Sequence, residues 1–339
     1  MKCIPVQEAV GSILCHDITQ ILPGEFKGRR FKKGHIIQEE DIPVLLSLGK
    51  DNIYVWENLP GMVHENDAAT FLKDITMGDG LTFGEIKEGK ITFTAAHDGL
   101  LKVDADRLFQ LNMLGEISFA SLHNNLPVKK GEAVAGTRVI PLVIDQKKLD
   151  EAQKLLDGHK IIEVKPMKSF NIGIVTTGSE VYYHRIEDKF GPILRGKMEA
   201  YHCTVAGQTF VPDDKEMIEA AIKDWLDKGV DMVFCTGGMS VDPDDLTPSA
   251  IRDTGCEIVT YGTPVLPGAM FLLSYYTDGR PVLGLPGCVM HSKVTVFDLI
   301  FPRILAGEKI TMADIAAFGH GGLCSNCAEC HYPNCHFGK

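Results

Sequence analysis

Four Gly/Pro turns are spread through the C-terminal half of the chain: Thr176-Thr177-Gly178-Ser179-Glu180, the run from Thr236 to Asp245, Leu266-Pro267-Gly268 and Gly284-Leu285-Pro286-Gly287. Each lies at the end of an apolar run or just before a stretch with helical periodicity. Short apolar runs alternating with helices imply a parallel sheet covered on both faces. In an open sheet of that kind, strand C-termini and helix N-termini leave backbone N–H groups unpaired, and these point at one crevice. Anions suit such a place. The fold class expected is therefore α/β, a three-layer, mostly parallel sheet, preceded by a smaller β-rich N-terminal region.

The pattern places a buried strand at Ile172–Thr176, a helix from Pro192 to Ala206 closed by Gly207, and an amphipathic helix from Asp214 to Lys228. Another strand follows at Asp231–Thr236. Thr247 is the expected cap of a helix with Pro248 at its first position, and Cys288 to Leu305 reads as the last long helix. Upstream, Ile42, Leu45 and Leu46 mark the inward face of a short helix that Gly49 stops. From Leu81 to Ile144 apolar and polar residues alternate between Gly and Asn turns, as in Lys90–Ala95 and Val139–Ile144, which predicts a small antiparallel β domain. A short helix follows at Asp150–Asp157. The boundaries expected are 1–56, 57–168, 169–310 and a Cys-rich tail over 311–339, and 339 residues suit such a multidomain arrangement.

A formal net charge of −11 argues against nucleic acid or an anionic membrane as partner, so any phosphate site must be local. No apolar run approaches the ~18 residues of a membrane span, and the N-terminus lacks the apolar core of a signal peptide. A cytoplasmic protein is the expectation. Six cysteines are scattered singly, as reduced thiols packed in cores are.

Within the second turn, Gly237 and Gly238 let the backbone approach a ligand, and Ser240 supplies a hydroxyl. Asp242, Asp244 and Asp245 crowd three carboxylates into four residues, which repel one another unless a cation or a helix N-terminus relieves them. Mg²⁺ held by one or two carboxylates and a substrate phosphate is the usual answer. Capping of the next helix by Asp244 or Asp245 is the simpler alternative. Arg185, Lys189 and Arg195 bring positive charge to one loop, where a charge-assisted bond to phosphate contributes roughly 1.5–3 kcal/mol.

The order and spacing of these motifs between about Asn171 and Gly307 resemble the molybdopterin-binding domain shared by the adenylyltransferase (Mog-type) and molybdotransferase (Moe-type) families of molybdenum-cofactor assembly. Residues 1–56 also look like the segment preceding that domain in molybdotransferases. The resemblance implies a crevice for molybdopterin or its adenylated form, bound by Thr177, Gly178, Ser179, Glu180, Asp188, Gly237, Gly238, Ser240, Pro267, Gly268, Pro286 and Gly287. It further implies Mg²⁺ on Asp242, Asp244 and Asp245 as the catalytic set, molybdate as co-substrate, AMP as product, a homo-oligomer, and a recipient molybdoenzyme as partner. Several positions depart from the family pattern. Ser179 replaces an aspartate, Ala269 a lysine, Lys189 and Phe190 a Ser-Asn pair, and Cys288 an asparagine. Two further readings stay open: a non-catalytic carrier of the finished cofactor, and an adenylyltransferase suggested by Asp245-Leu246-Thr247-Pro248.

The tail holds Cys324, Cys327, Cys330 and Cys335 within twelve residues. In a reduced compartment four such thiols are more economically one metal site than two disulfides. Cys-x2-Cys-x2-Cys is similar to the first three ligands of a bacterial ferredoxin cluster, and zinc also suits four thiolates, with His331 and His336 as spare ligands. An unstructured tail with reactive thiols is the alternative.

Overall fold

A computed structural model describes residues 2–22, 26–55 and 60–339. Contacts gather the chain into two compact units, one made of residues 1–96, 103–122 and 131–163, the other of 97–102, 123–130 and 164–339. The boundary expected between residues 56 and 57 lies outside the described residues.

In the first unit, strands Lys2–Pro5 and Asn52–Val55 pair antiparallel, as do Ile18–Leu22 and Phe26–Phe31. Val6, Leu14, Ile18, Ile37, Leu45 and Ile53 form their core. The helix spans Asp41–Ser47 and buries Leu45, whereas Leu46 is exposed. Consecutive helical residues point about 100° apart, so a two-turn helix on a small core buries one of the pair. A second, four-stranded antiparallel sheet runs in the order Leu81–Phe83, Lys90–Ala95, Ala133–Val139, Ile117–Ser121. Ile91, Phe93 and Ala95 face inward at the expected period of two. The expected strand Val139–Ile144 is instead split. One strand ends at Val139 and another begins at Val143, because Pro141 between them has no N–H to give a ladder. Helices Glu65–Thr76, Ala105–Met113 and Gln146–Leu156 accompany the strands, and only the last has a counterpart in the sequence reading.

The second unit is built on six strands: β1 Asn171–Thr177, β2 Thr204–Val211, β3 Met232–Thr236, β4 Glu257–Tyr261, β5 Leu272–Tyr275 and β6 Pro281–Leu285. Their spatial order is β2-β1-β3-β6-β5-β4. The first four are parallel, and β5 and β4 extend the sheet antiparallel. Strands β3 and β6 are buried along their whole length, as strands covered on both faces must be. Alternate residues feed two separate cores. Ile174, Phe234 and Leu283 join Phe297 and Phe301 in one, while Val175, Val233 and Cys235 join Ile222, Trp225 and Ile251 in the other. The helices α1 Ser179–Tyr182, α2 Phe190–Ala200, α3 Lys215–Asp227, α4 Thr247–Asp253, α5 Val296–Leu305 and α6 Met312–Ala317 complete the unit. The three-layer α/β architecture expected from the alternating pattern is present.

Asp214, the expected start of the amphipathic helix, caps α3 through the N–H of Met217. Three boundaries move. The helix expected to reach Ala206 stops at Ala200, because residues 204–211 pair with β1 as an edge strand and Gly207 is a strand residue. The helix expected from Cys288 is a 3₁₀ turn over Gly287–Met290, and α5 starts afresh at Val296. Its start is fixed by a capping box in which Thr295 and Asp298 satisfy each other's backbone N–H groups. Thr247 lies inside the first turn of α4 instead of capping it.

The tail is folded onto the second unit. The N–H of Leu266 donates to Gly322 O at 2.8 Å, and the N–H of Cys324 donates to Leu266 O at 2.8 Å. Phe337, 1% exposed, enters the core of Phe297, Leu299 and Phe301.

A crevice at the carboxyl ends of the parallel strands

Register aligns Thr176 of β1 with Thr236 of β3, and Thr236 with Leu285 of β6. The three strands therefore end side by side, and the turns that follow them meet. At this end is a cavity of about 550 Å³ lined by Gly237, Gly238, Met239, Ser240, Asp245, Pro267, Gly268, Pro286 and Gly287, with Phe190, Leu266, Ala269, Met270, Leu285, Cys288 and Met290. The size suits a small organic ligand, and apolar walls with a few polar groups are usual for such a site. Asp245 is the charged side chain among these lining residues, and Ala269 stands where the family pattern has lysine.

Backbone geometry shapes the floor. Gly237 sits at φ +86°, and a Cβ there would collide with the carbonyl of Thr177. Only glycine lets β1 and the turn after β3 approach this closely. The buried hydroxyl of Thr247 donates to Gly237 O at 2.9 Å and lies 3.1 Å from Thr177 Oγ1. Farther in, Thr236 Oγ1 donates to Thr176 Oγ1 at 3.0 Å.

The acidic loop is closed by its own backbone. Asp245 Oδ2 accepts the N–H of Asp242 at 2.9 Å, and the N–H of Asp245 donates to Asp242 O at 3.0 Å. Asp245 is half-buried against the cavity, whereas Asp242 and Asp244 are exposed and do not line it. Among the described residues no three His, Cys, Asp or Glu side chains are gathered closely enough to hold a metal ion. Tyr261, at the end of β4, donates its hydroxyl to Met239 O at 3.0 Å and Ser240 O at 2.9 Å. Partial burial, and then the nearby Asp245 carboxylate, raise the pKa of this phenol above its ordinary value and keep it a donor. Sequence reasoning missed Tyr261, because nothing local marks a strand-end tyrosine as the support of a loop some twenty residues earlier.

The other expected ligand contacts lie apart from this cavity's lining. The N–H of Ser179 donates to Asp213 Oδ2 at 2.8 Å, Thr177 is buried beneath the turn, Gly178 is buried, and Glu180 is exposed. Asp188 accepts the N–H groups of Phe190 at 2.9 Å and Gly191 at 3.0 Å, opening α2, and Gln208 Nε2 at 2.7 Å. With His184, Arg185 and Phe210 it lines a different cavity, of about 490 Å³. Arg195 lines a third. The cations expected near the phosphate therefore stand outside the crevice. Burial pushes the Cys288 thiol up, so the residue in the family's asparagine position is a neutral thiol.

Residues 173–306 match a family described as "Probable molybdopterin binding domain", and residues 3–57 match one described as a domain of unknown function. A molybdopterin molybdenumtransferase of Synechococcus elongatus is 26% identical over 144 residues, 40% of this chain and 36% of that protein. A protein of Methanocaldococcus jannaschii named for molybdopterin biosynthesis is 28% identical over 263 residues, 69% of this chain and 62% of its own length. The chain thus spans less than two thirds of each of these relatives. Among solved structures, the molybdopterin biosynthesis enzyme MoaB of Thermus thermophilus is similar at 20% identity and a TM-score of 0.33, over 41% of this chain and 98% of that one. No helix among the described residues is long and apolar enough to cross a membrane. The α/β domain of this chain is thus, over residues 173–306, a match to the molybdopterin-binding domain of the Mog/Moe type.

Proposed function

We propose that the crevice binds molybdopterin in its adenylated form and that the protein inserts molybdate, releasing AMP. The observation that carries this reading is the convergence of Gly237, Gly238, Ser240, Asp245, Pro267, Gly268, Pro286 and Gly287 on one cavity of about 550 Å³. Apolar lining residues such as Pro267, Met270 and Met290 would suit the flat pterin, and the glycine turns would let backbone polar groups approach it.

The donor set for Mg²⁺ is narrower than three carboxylates. Asp245 reaches the cavity, and a single carboxylate combined with phosphate oxygens is an ordinary Mg²⁺ environment. Bound there, the ion would neutralise phosphate charge and polarise the anhydride. Asp245 also orders the loop by holding the N–H of Asp242, and Tyr261 fixes the carbonyls of Met239 and Ser240, so Ser240 is presented in one position. Thr247 holds the Gly237 carbonyl through its buried hydroxyl.

A second reading, a carrier that holds the cofactor for a molybdoenzyme, is favoured by a specific observation: no Lys or Arg lines the crevice among the described residues. Phosphoryl chemistry ordinarily draws on such a cation. The deciding measurement is AMP release from adenylated molybdopterin, with Mg²⁺ and with or without molybdate. Molybdate-dependent release is expected of the transferase. Tight binding without release would replace it by the carrier, and AMP incorporation from ATP into molybdopterin would replace it by an adenylyltransferase.

A further inference from the structure

Beside the crevice is a second cavity, of about 410 Å³, and Cys324, Cys327, Cys330 and Cys335 all line it. The loop that carries them is not a loose end. Leu266 and Leu323 form a parallel bridge, Tyr332 Oη donates to Asp298 O at 3.3 Å, and Lys339 Nζ donates to Pro333 O at 2.6 Å. Phe337, two residues past Cys335, is sealed in the core. Both ends of the cysteine loop are therefore anchored, and the four thiols are held around one space without any disulfide among them.

One backbone donor within the loop is aimed at a cysteine sulfur. The N–H of Asn326 is directed at Cys324 Sγ, 3.5 Å away. Backbone donors onto cysteine sulfur are among the devices by which proteins stabilise metal-bound thiolates. Left as apolar packing, Cys327 and Cys330 would gain nothing from their placement, since both are exposed.

A tetrahedral zinc site with Zn–S bonds of about 2.3 Å requires its four sulfurs to stand roughly 3.8 Å apart. Among the described residues no three His, Cys, Asp or Glu side chains are gathered closely enough to hold a single metal ion, while all four cysteines border the same cavity. Four cysteines bordering one cavity of about 410 Å³ leave room for a polynuclear guest.

We propose that Cys324, Cys327, Cys330 and Cys335 hold an iron–sulfur cluster of the cubane type, each thiolate on one iron. The spacing of the first three, with two residues between successive cysteines, suits binding to three corners of one cluster, and Cys335 closes it from beyond the Tyr332-Pro333 turn. The site stands on the tail's own geometry and is independent of what the crevice binds. Its placement is nevertheless informative: Pro267 lines both cavities, so the cysteine-lined cavity adjoins the crevice.

The test uses the full chain purified anaerobically from iron-supplemented cells. Iron and acid-labile sulfide at about four each per chain are expected, with a broad visible charge-transfer band that reduction bleaches. Cys327→Ser and Cys330→Ser, at exposed positions where the fold tolerates change, should each lose at least half of the iron and sulfide while far-ultraviolet circular dichroism stays the same. Cys3→Ser, in the first unit, should keep the full complement. About one zinc per chain without sulfide would overturn the cluster, as would a protein holding neither metal nor sulfide. Undiminished iron and sulfide in both serine variants would equally overturn the assignment of these ligands.

Discussion

Thr177 and Thr247, seventy residues apart in sequence, meet hydroxyl to hydroxyl at 3.1 Å beneath the glycine turn, and Thr247 also holds the carbonyl of Gly237. This contact ties the end of β1 to the start of α4 and so fixes the floor of the crevice. Thr247→Val keeps the shape but leaves a buried carbonyl and hydroxyl short of a partner. A loss of about 1–3 kcal/mol is expected in urea unfolding of the second unit. An unchanged midpoint would show that the hydroxyl contributes only to orientation.

Asp245 and Tyr261 separate chemistry from scaffolding. Asp245→Asn keeps a side-chain oxygen for the Asp242 N–H but removes the charge on which Mg²⁺ would depend. AMP release should fall by about 100-fold or more with pterin affinity nearly intact. Tyr261→Phe removes the donor to Met239 O and Ser240 O at an exposed position, so pterin affinity should drop several-fold with little change in stability. Equal losses of affinity in both variants would mean that Asp245 acts as a loop closure alone.

Arg303 bridges Glu308 at 2.8 Å and Asp314 at 2.6 Å, linking α5 to α6. Burial alone would push the Asp314 carboxyl up, but bonds from Thr311 and Arg303 outweigh it and hold the group at about 2, below its ordinary 3.8. A depressed folded-state value means that stability is fully present above the ordinary value and is lost as pH falls from about 4 through about 2. Solvent screening keeps the contribution below about 2 kcal/mol. In Asp314→Asn the acid limb of a stability-versus-pH profile should flatten over that window, and a limb identical to the parent's would assign the acid sensitivity elsewhere.

Phe337 is the hydrophobic anchor of the tail. Phe337→Ala opens a void against Leu299 and Phe301 and should cost about 3–5 kcal/mol of docking. Limited proteolysis should then cut between residues 318 and 339 while the α/β domain survives. Resistance equal to the parent's would show that the backbone bonds to Leu266 suffice.

Much of this architecture is written locally in the chain. The buried runs at residues 171–177 and 232–236, the Asp214 cap and the glycine turns follow from side-chain period and backbone freedom, which neighbours in sequence determine. The meeting of the turns after β3 and β6 was legible because parallel strands must end on one side. Of what failed, one boundary was decided by a partner strand far away and one by a cap a few residues downstream. Gly207 reads as a helix stop until β2 pairs with β1, and Cys288 reads as helical until Thr295 and Asp298 begin the helix later.

The sequence by itself determined the strand–helix alternation, the glycine positions and the crowding of carboxylates and thiols, because each depends on residues a few places apart. Tertiary structure alone decided which of those groups face a ligand. It sent Asp188 to Gln208 and Ser179 to Asp213, left Asp245 of three aspartates at the cavity, and docked the cysteines around a space through Phe337. A polar side chain takes the partner that folding brings within about 3 Å, and that distance is set by packing between elements, which no local pattern encodes.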